Sequence, residues 1–273
     1  MREIAVIFRK ELRDAYRGRW LIAFAATFAL VALLLSMVQG SGGEIGRQGF
    51  SRTTAGLINL CLFLVPLLAL VLGASSIAAE RERGTLATLL AQPISSSQVI
   101  IGKYLGLVAA VWAAIALGFG AAGMIMALVS PITDVNHYLL FIALSAVLAT
   151  AMLSIGMLIS VLSDGRLKAL SIAIVTWFIM VLLYDLGAVG LALAVSSSGR
   201  TLLLVVLGNP IECVRILAIM SLESNLEVLG PLGSYVANEV GTGAGVALLG
   251  SMLALWSLAP LGAALAVART RDA

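Results

Sequence analysis

Long apolar runs separated by short polar segments dominate this chain. Each run approaches or exceeds the roughly 20 apolar residues that an α-helix needs to cross a bilayer. The pattern therefore predicts an all-α, polytopic membrane protein with six transmembrane helices in one transmembrane domain, residues 1–273. The predicted spans are residues 20–38, 54–79, 104–129, 138–162, 169–193 and 244–268.

The segment before the first run, residues 1–19, is amphipathic at helical spacing. Ile4, Phe8 and Leu12 recur on one side of this helix, while most of its basic residues fall elsewhere. The pattern predicts a helix that lies in the membrane interface and leads into the first span. A cleaved signal peptide is the alternative, but no small-x-small site closes the apolar run convincingly.

Residues 194–243 are predicted to form the one long outer loop. Its apolar stretches, Leu202 to Leu207 and Ile211 to Met220, are too short to span a bilayer. Gly208, Asn209 and Pro210 separate them, which predicts two interfacial or re-entrant helices broken at that point.

The composition excludes a soluble protein, since 61% of the residues are hydrophobic and 11% are charged, against roughly 25% charged in soluble chains. A chain of 273 residues with six spans has no room for a separate catalytic or nucleotide-binding domain. The net charge of +3 would suggest a nucleic acid partner in a soluble protein. Here the placement of the charges matters more than their sum, and no nucleic acid partner is expected.

The Lys and Arg residues predict the orientation of the spans. Alternation of sides places thirteen of the 17 basic residues on one side and four, Arg47, Arg52, Arg200 and Arg215, on the other. Because basic residues concentrate in cytoplasmic segments, both termini are predicted to be cytoplasmic, in the inner membrane of a bacterium.

The cytoplasmic segment 80–98 carries the most informative pattern. Charged residues mark the membrane exit, Gly84 turns the chain, and Thr85 can cap a short helix that Pro93 helps to stop. The leucines of this helix lack a core of their own and need a partner surface, although the lipid surface is an alternative. The candidate docking residues are Glu80, Arg81, Glu82, Arg83, Gly84, Thr85, Leu86, Leu89, Leu90 and Pro93.

The order Glu-x-Glu-x-Gly-Thr-Leu-x-x-Leu-Leu-x-x-Pro at residues 80–93, followed by Gly102 and Lys103, resembles the ABC-2 type of ABC transporter permease. The resemblance implies that this segment is the coupling helix, which docks on a separate ATPase subunit. It also implies a second cytoplasmic contact at residues 163–168, with Asp164, Arg166 and Lys168 as candidate residues. By the same resemblance, the permease is a homodimer that binds two ATPase subunits.

ATP is expected to bind elsewhere, because the chain contains no Walker-type Gly-x-x-x-x-Gly-Lys-Ser/Thr motif. The permease itself therefore needs no cofactor, and ATP and magnesium belong to the ATPase subunit. Membrane lipids surround the spans.

A narrower resemblance is to the permeases of the nitrous oxide reductase maturation system. It rests on residues 7–12 and 17–21, on the run from Trp177 to Leu186, and on Gly208-Asn209-Pro210 with Arg215 beyond. This resemblance implies a periplasmic β-helical partner and a role in assembling copper and sulfur sites. In this chain the acid after Asn209-Pro210, Glu212, stands one place earlier than expected. The alternatives are an exporter of a drug, an ion or a lipid with no outer partner, and a membrane scaffold that transports nothing.

Asp185 is the one acid inside an apolar run, and an ionisable residue there is a candidate functional group. Its expected partner is Arg200 or Arg215. The alternatives for its role are a structural ion pair, exposure at the membrane interface, and a substrate or proton site. Asn209, Pro210 and Arg215 join Asp185 as a possible intramembrane or partner site.

No enzyme activity is predicted for this chain. Two-carboxylate chemistry needs a second intramembrane Asp, which the chain lacks, and His137 is its only histidine. Cys61 and Cys213 lie far apart in the predicted topology, and the methionines read as packing residues, so no metal ligands are assigned.

Overall fold

The computed structural model describes residues 2–18, 22–24, 26–27, 30, 47–86, 94–129, 135–187, 190, 199–222 and 226–271, and every regular element in these ranges is helical. Short 3-10 and π segments at Leu226–Leu229 and Val236–Val240 precede the last helix. The α-helices are α1 (Arg2–Arg17), α2 (Arg47–Glu82), α3 (Ser96–Val129), α4 (Val135–Leu162), α5 (Arg166–Phe178), α6 (Gly199–Leu207), α7 (Pro210–Leu222), α8 (Pro231–Tyr235) and α9 (Thr242–Arg271).

Five described helices are long and apolar enough to cross a membrane. The predicted fold class, an all-helical polytopic membrane protein, is therefore confirmed. The predicted span at 20–38 lies mostly outside the described residues. The five candidate spans are Asn59–Glu82, Ser96–Met124, Val135–Leu162, Arg166–Gly187 and Thr242–Thr270.

Helices α2 and α4 form the centre of the bundle, and glycines permit their close approach. A Cβ atom on Gly73 would lie 2.7 Å from the carbonyl oxygen of Leu153, so only glycine fits without displacing a helix. Ser160 strengthens this contact, since its Oγ lies 2.9 Å from the backbone nitrogens of Ile77 and Ala78 and accepts from both. The two helices are therefore joined by packing and by hydrogen bonds.

Helix α1 packs along α3 through its apolar side. Ile7 and Ala15 are buried, whereas Val6, Arg9 and Arg13 are exposed. A Cβ atom on Gly102 would lie 2.8 Å from Ile7 Cβ, so the contact is close. The amphipathic helix predicted before the first span is present, and its apolar side faces the bundle.

Helices α6 and α7 form a bent pair at the other end of the bundle, and their axes turn by 120° at residues 208–209. Ile211, Cys213 and Val214 on consecutive sides of α7 are all fully buried. Helix α7 packs against α2, α4 and α9. Of the two arrangements predicted for this pair, the burial favours a re-entrant segment over one that lies on the surface.

Candidate functional site

Helix α1, the end of α2, the segment before α5 and the end of α9 meet at one end of the bundle. Lys103 at the start of α3 binds Glu11 of α1, and Glu82 at the end of α2 accepts a hydrogen bond from the backbone N–H of Arg166. Arg269 near the end of α9 donates to Ser97 Oγ at 3.1 Å. The distribution of basic residues predicted that these segments lie on one side of the membrane, and in the structure they lie together. We call this end of the bundle the coupling end.

A tight turn ends α2 at the coupling end. Gly84 has a φ of +72°, in the left-handed region that favours glycine, and its N–H donates to the carbonyl of Arg81 at 3.1 Å. The Thr85 hydroxyl donates to the carbonyl of Glu80 at 3.2 Å. The turn predicted at Gly84 is therefore present, and the hydroxyl of Thr85 satisfies a carbonyl in the last turn of α2.

Beneath this turn lies a buried charge cluster, formed by Lys10, Glu11, Glu80 and Lys103. The Lys103 ammonium donates to Glu11 Oε1 at 2.7 Å and to Glu80 Oε1 at 2.8 Å, with only 3% of the lysine side chain exposed. Lys10 Nζ lies 3.5 Å from Glu80 Oε1. The cluster holds two positive and two negative groups, with Lys103 and Glu80 buried and Lys10, whose side chain is 54% exposed, at its outer edge.

The cluster changes the expectation for Glu80. The sequence placed Glu80 among the residues that dock on a partner protein, but in this chain its carboxylate is buried and pairs with Lys103. Sequence reasoning matched Lys103 to a motif without giving it a partner, and it missed Glu11. A lysine next to a span was the available signal, because a charge at the edge of the apolar region needs a counter-charge.

The predicted second contact, residues 163–168, is attached directly to the end of α2. The Arg81 guanidinium donates to the carbonyls of Val161 and Ser163, and Glu82 Oε2 lies 2.6 Å from the Arg166 nitrogen. Asp164 and Lys168 form an exposed pair at 2.9 Å. The described part of the first segment predicted to contact the ATPase, residues 80–86, therefore lies directly beside the second.

The remaining docking residues are only partly described. Leu86 is half-buried and packs against the core of this chain. Arg83 is exposed, and its Nε donates to the carbonyl of Ala79 at 3.1 Å. Leu89, Leu90 and Pro93 lie outside the described residues.

At the opposite end, Asp185 pairs with Arg215, one of its two expected partners. Arg215 NH2 lies 3.0 Å from Asp185 Oδ2, and NH1 of the same guanidinium lies 2.8 Å from Glu212 Oε1. The displaced acid Glu212 thus reaches the same arginine and is buried, whereas the Asp185 side chain is 35% exposed. This geometry is an ion-pair network that holds α7 against the continuation of α5.

Asn209 and Pro210 shape the break between α6 and α7. Asn209 is fully buried, its Oδ1 accepts from the N–H of Ile211 at 3.0 Å, and Pro210 occupies the first position of α7, where no N–H is needed. The Asn209 amide donates to the carbonyl of Met180 at 2.7 Å. Met180 lies in a π turn, Ile179–Leu183, and such turns leave backbone groups available for partners.

Comparison with known proteins identifies the family. The model of a family described as "ABC-2 family transporter protein" matches residues 5–271. The chain is 32% identical over 243 residues to the "Probable ABC transporter permease protein NosY" of Stutzerimonas stutzeri, a match that covers 85% of this chain and 87% of that protein. It is also 32% identical over 273 residues to the protein of the same description from Pseudomonas aeruginosa, with 96% of this chain and 94% of that protein covered.

Proposed function

This chain belongs to the ABC-2 transporter family as a multi-pass membrane permease, and we propose that it couples ATP hydrolysis in a separate ATPase subunit to movement of its own helices. The ATPase contacts residues 81–93 and the exposed groups Asp164, Arg166 and Lys168, while Glu80 anchors this segment to Lys103 within the permease. ATP and magnesium bind to the ATPase. Two copies of the permease present two such surfaces to two ATPase subunits.

The observation that carries this proposal is the joined surface at the coupling end. A docked subunit can move a helix bundle only if the contact segment is fixed to the bundle. Arg81 and Glu82 bind the segment after α4, and the buried charge cluster ties α1 and α3 to the end of α2. Displacement of residues 80–86 is therefore transmitted to four helices at once.

The proposed cellular role is maturation of nitrous oxide reductase, with a periplasmic β-helical protein on the outer side. Two relatives of nearly equal length bear the NosY description, which supports this role over the export of a drug or lipid. In this arrangement the termini are cytoplasmic and the α6–α7 pair lies toward the periplasm. Movement of α7 then reaches the outer partner.

Replacement of Leu90 by Asp tests the coupling proposal. The permease is co-expressed with its candidate ATPase, and complex recovery and ATPase rate are measured. Leu90→Asp places a charge in the proposed apolar contact, so we expect loss of the complex. Leu86 is less suitable because it packs against the core of the permease itself.

The matched control is Val135→Asp, at an exposed position on the first turn of α4 at the opposite end. It should leave the complex and the ATPase rate unchanged. If Leu90→Asp retains both, residues 80–93 do not couple the two proteins. Co-purification from native membranes tests the cellular role, since a permease recovered without a periplasmic protein would favour the exporter alternative.

A further inference from the structure

A cleft of about 500 Å³ opens at the coupling end between α1, α2 and α3. Leu72, Ser76 and Leu107 line its inner part, and Arg83 and Arg166 lie at its rim. From Arg83 to Leu72 the lining follows α2 for eleven residues, or about 16 Å at the helical rise. The buried charge cluster and two serines also line the cleft, so its wall is mostly polar, and Leu72, Ala79 and Leu107 form its apolar part.

We propose that this cleft binds a phospholipid with a single negative charge, its phosphodiester at the Arg83–Arg166 rim and the start of an acyl chain against Leu72 and Leu107. The proposal requires that the chain lies in a membrane. Because Arg83 and Arg166 also belong to the surface proposed for the ATPase, it applies to the permease without a docked ATPase, which is the form tested below. Basic pockets between helices at the cytoplasmic face are a recognised form of lipid headgroup site.

The charge balance of the lining selects the headgroup. The buried charge cluster also lines the cleft and is neutral in itself, with two positive and two negative groups. The other ionisable groups of the lining are Arg83 and Arg166, opposed by Asp14, so one positive charge is left over. One phosphodiester neutralises it, whereas zwitterionic phosphatidylethanolamine and phosphatidylcholine bring no net charge.

The rim arginines are available to a ligand. Both are exposed, and the guanidinium of Arg166 has no partner within the described part of the chain, since its backbone N–H makes the bond to Glu82. Among the described residues, Arg83 donates through its Nε alone, to the carbonyl of Ala79. A guanidinium fork matches phosphate geometry, so the two side chains offer several charge-assisted hydrogen bonds.

The apolar part of the lining favours a lipid over a soluble phosphate. Leu72 and Leu107 line it, and the hydroxyl of Ser76 donates to the carbonyl of Gly73 in its own helix. A free phosphate would use the rim and leave this part of the cleft without a contact. The start of an acyl chain would contact Leu72 and Leu107, which a free anion does not reach.

The test measures lipid retained by the delipidated permease, using native mass spectrometry. The probes are phosphatidylglycerol, phosphatidylethanolamine and phosphatidylcholine with identical acyl chains. We expect preferential retention of phosphatidylglycerol, weakened by salt. Arg83→Ala combined with Arg166→Ala should lower its affinity about tenfold, the effect of one charge-assisted bond or more.

Two further variants separate a specific site from general attraction. Asp14→Asn removes the opposing acid and should raise the affinity for phosphatidylglycerol. Arg13→Ala removes an exposed cation of the same helix that does not line the cleft, and it should change nothing. Equal retention of the three lipids, or an equal loss with Arg13→Ala, would overturn the proposal.

A soluble arm distinguishes the source of the phosphate. Inorganic phosphate and glycerol phosphate are added in excess to the phosphatidylglycerol complex. Because contacts with Leu72 and Leu107 add to the affinity of the lipid, we expect that neither anion displaces phosphatidylglycerol at concentrations near the apparent dissociation constant of the lipid. Displacement by inorganic phosphate at such concentrations would assign the cleft to a free anion and refute lipid binding. None of these measurements uses ATP, so their outcome is independent of the Leu90 experiment.

Discussion

Replacement of Lys103 by Met isolates the contribution of the buried charge cluster to stability. Lys103 supplies the ammonium that both Glu11 and Glu80 bind, at 2.7 and 2.8 Å. Methionine has a similar length and keeps the apolar contacts of the lysine stem. The substitution therefore removes the charge while it disturbs the packing of α3 little.

The expected magnitude follows from burial. The side chains of Lys103 and Glu80 are 3% and 8% exposed, so the carboxylates that remain cannot regain full hydration. Loss of one partner from a buried ion pair costs roughly 3–5 kcal/mol. Lys10, whose side chain is 54% exposed, offsets part of this cost from 3.5 Å away. We expect the free energy of unfolding to fall by about 3 kcal/mol and the melting temperature by about 6 °C or more.

The chain contains its own probe for the assay. Cys61 and Cys213 are free thiols and fully buried, so a thiol-reactive dye reports unfolding of the permease in detergent. Lys168→Met is the control, because it breaks an exposed pair and should cost less than about 1 kcal/mol. Combining Lys103→Met with Glu11→Gln and Glu80→Gln removes the unpaired charges and should restore most of the stability. A single variant that melts with the wild type, or a triple variant as unstable as the single, would refute this reasoning.

Three further predictions use the same assay. A Cβ atom on Gly156 would lie 2.6 Å from a backbone carbonyl oxygen of α2, so Gly156→Ala should lower the free energy of unfolding by about 1–3 kcal/mol. The control Gly120→Ala meets no atom within 4 Å and should be tolerated. Equal effects of the two substitutions would contradict the close contact of α2 and α4. Arg215→Met leaves Asp185 and Glu212 without their shared arginine, whereas Asp185→Asn leaves Arg215 paired with Glu212. Arg215→Met should therefore be the more destabilising substitution, and a larger effect of Asp185→Asn would exclude the ion-pair network. Gly84→Ala should cost about 1 kcal/mol because of the positive φ, while Gly84→Asn should be milder; identical stabilities would show that this turn is not constrained.

The features that the sequence predicted are those fixed by local pattern. The length of an apolar run determines whether a helix spans the bilayer, and a glycine between charged and apolar segments marks the turn at Gly84. Pairing of Asp185 with Arg215 was accessible for a different reason. The outer loop that follows Asp185 contains two arginines, Arg200 and Arg215, so the choice of partners within that loop was short.

The coupling-end cluster was inaccessible because its members are distant in sequence. Lys103 and Glu11 are separated by 92 positions, and they meet where Gly102 and Gly106 let α1 approach α3 closely. No periodicity within either helix contains that contact. The docking role assigned to Glu80 also reflects this limit, since a charged motif at a membrane exit gives no indication of whether its partner lies in the same chain or in another.

The position of the buried charge cluster affects how movement of a docked ATPase subunit would be transmitted through the permease. A buried, charge-balanced contact resists separation, because pulling Glu80 away from Lys103 would leave two charges in a low-dielectric site. Ser160 and the facing glycines likewise prevent α2 from sliding independently of α4. Force on residues 80–86 would therefore shift α1 to α4 together. Helix α7 packs on both α2 and α4 at the opposite end. The hydrogen bond from Asn209, which precedes α7, to the π turn is the contact that such a rigid displacement would alter there.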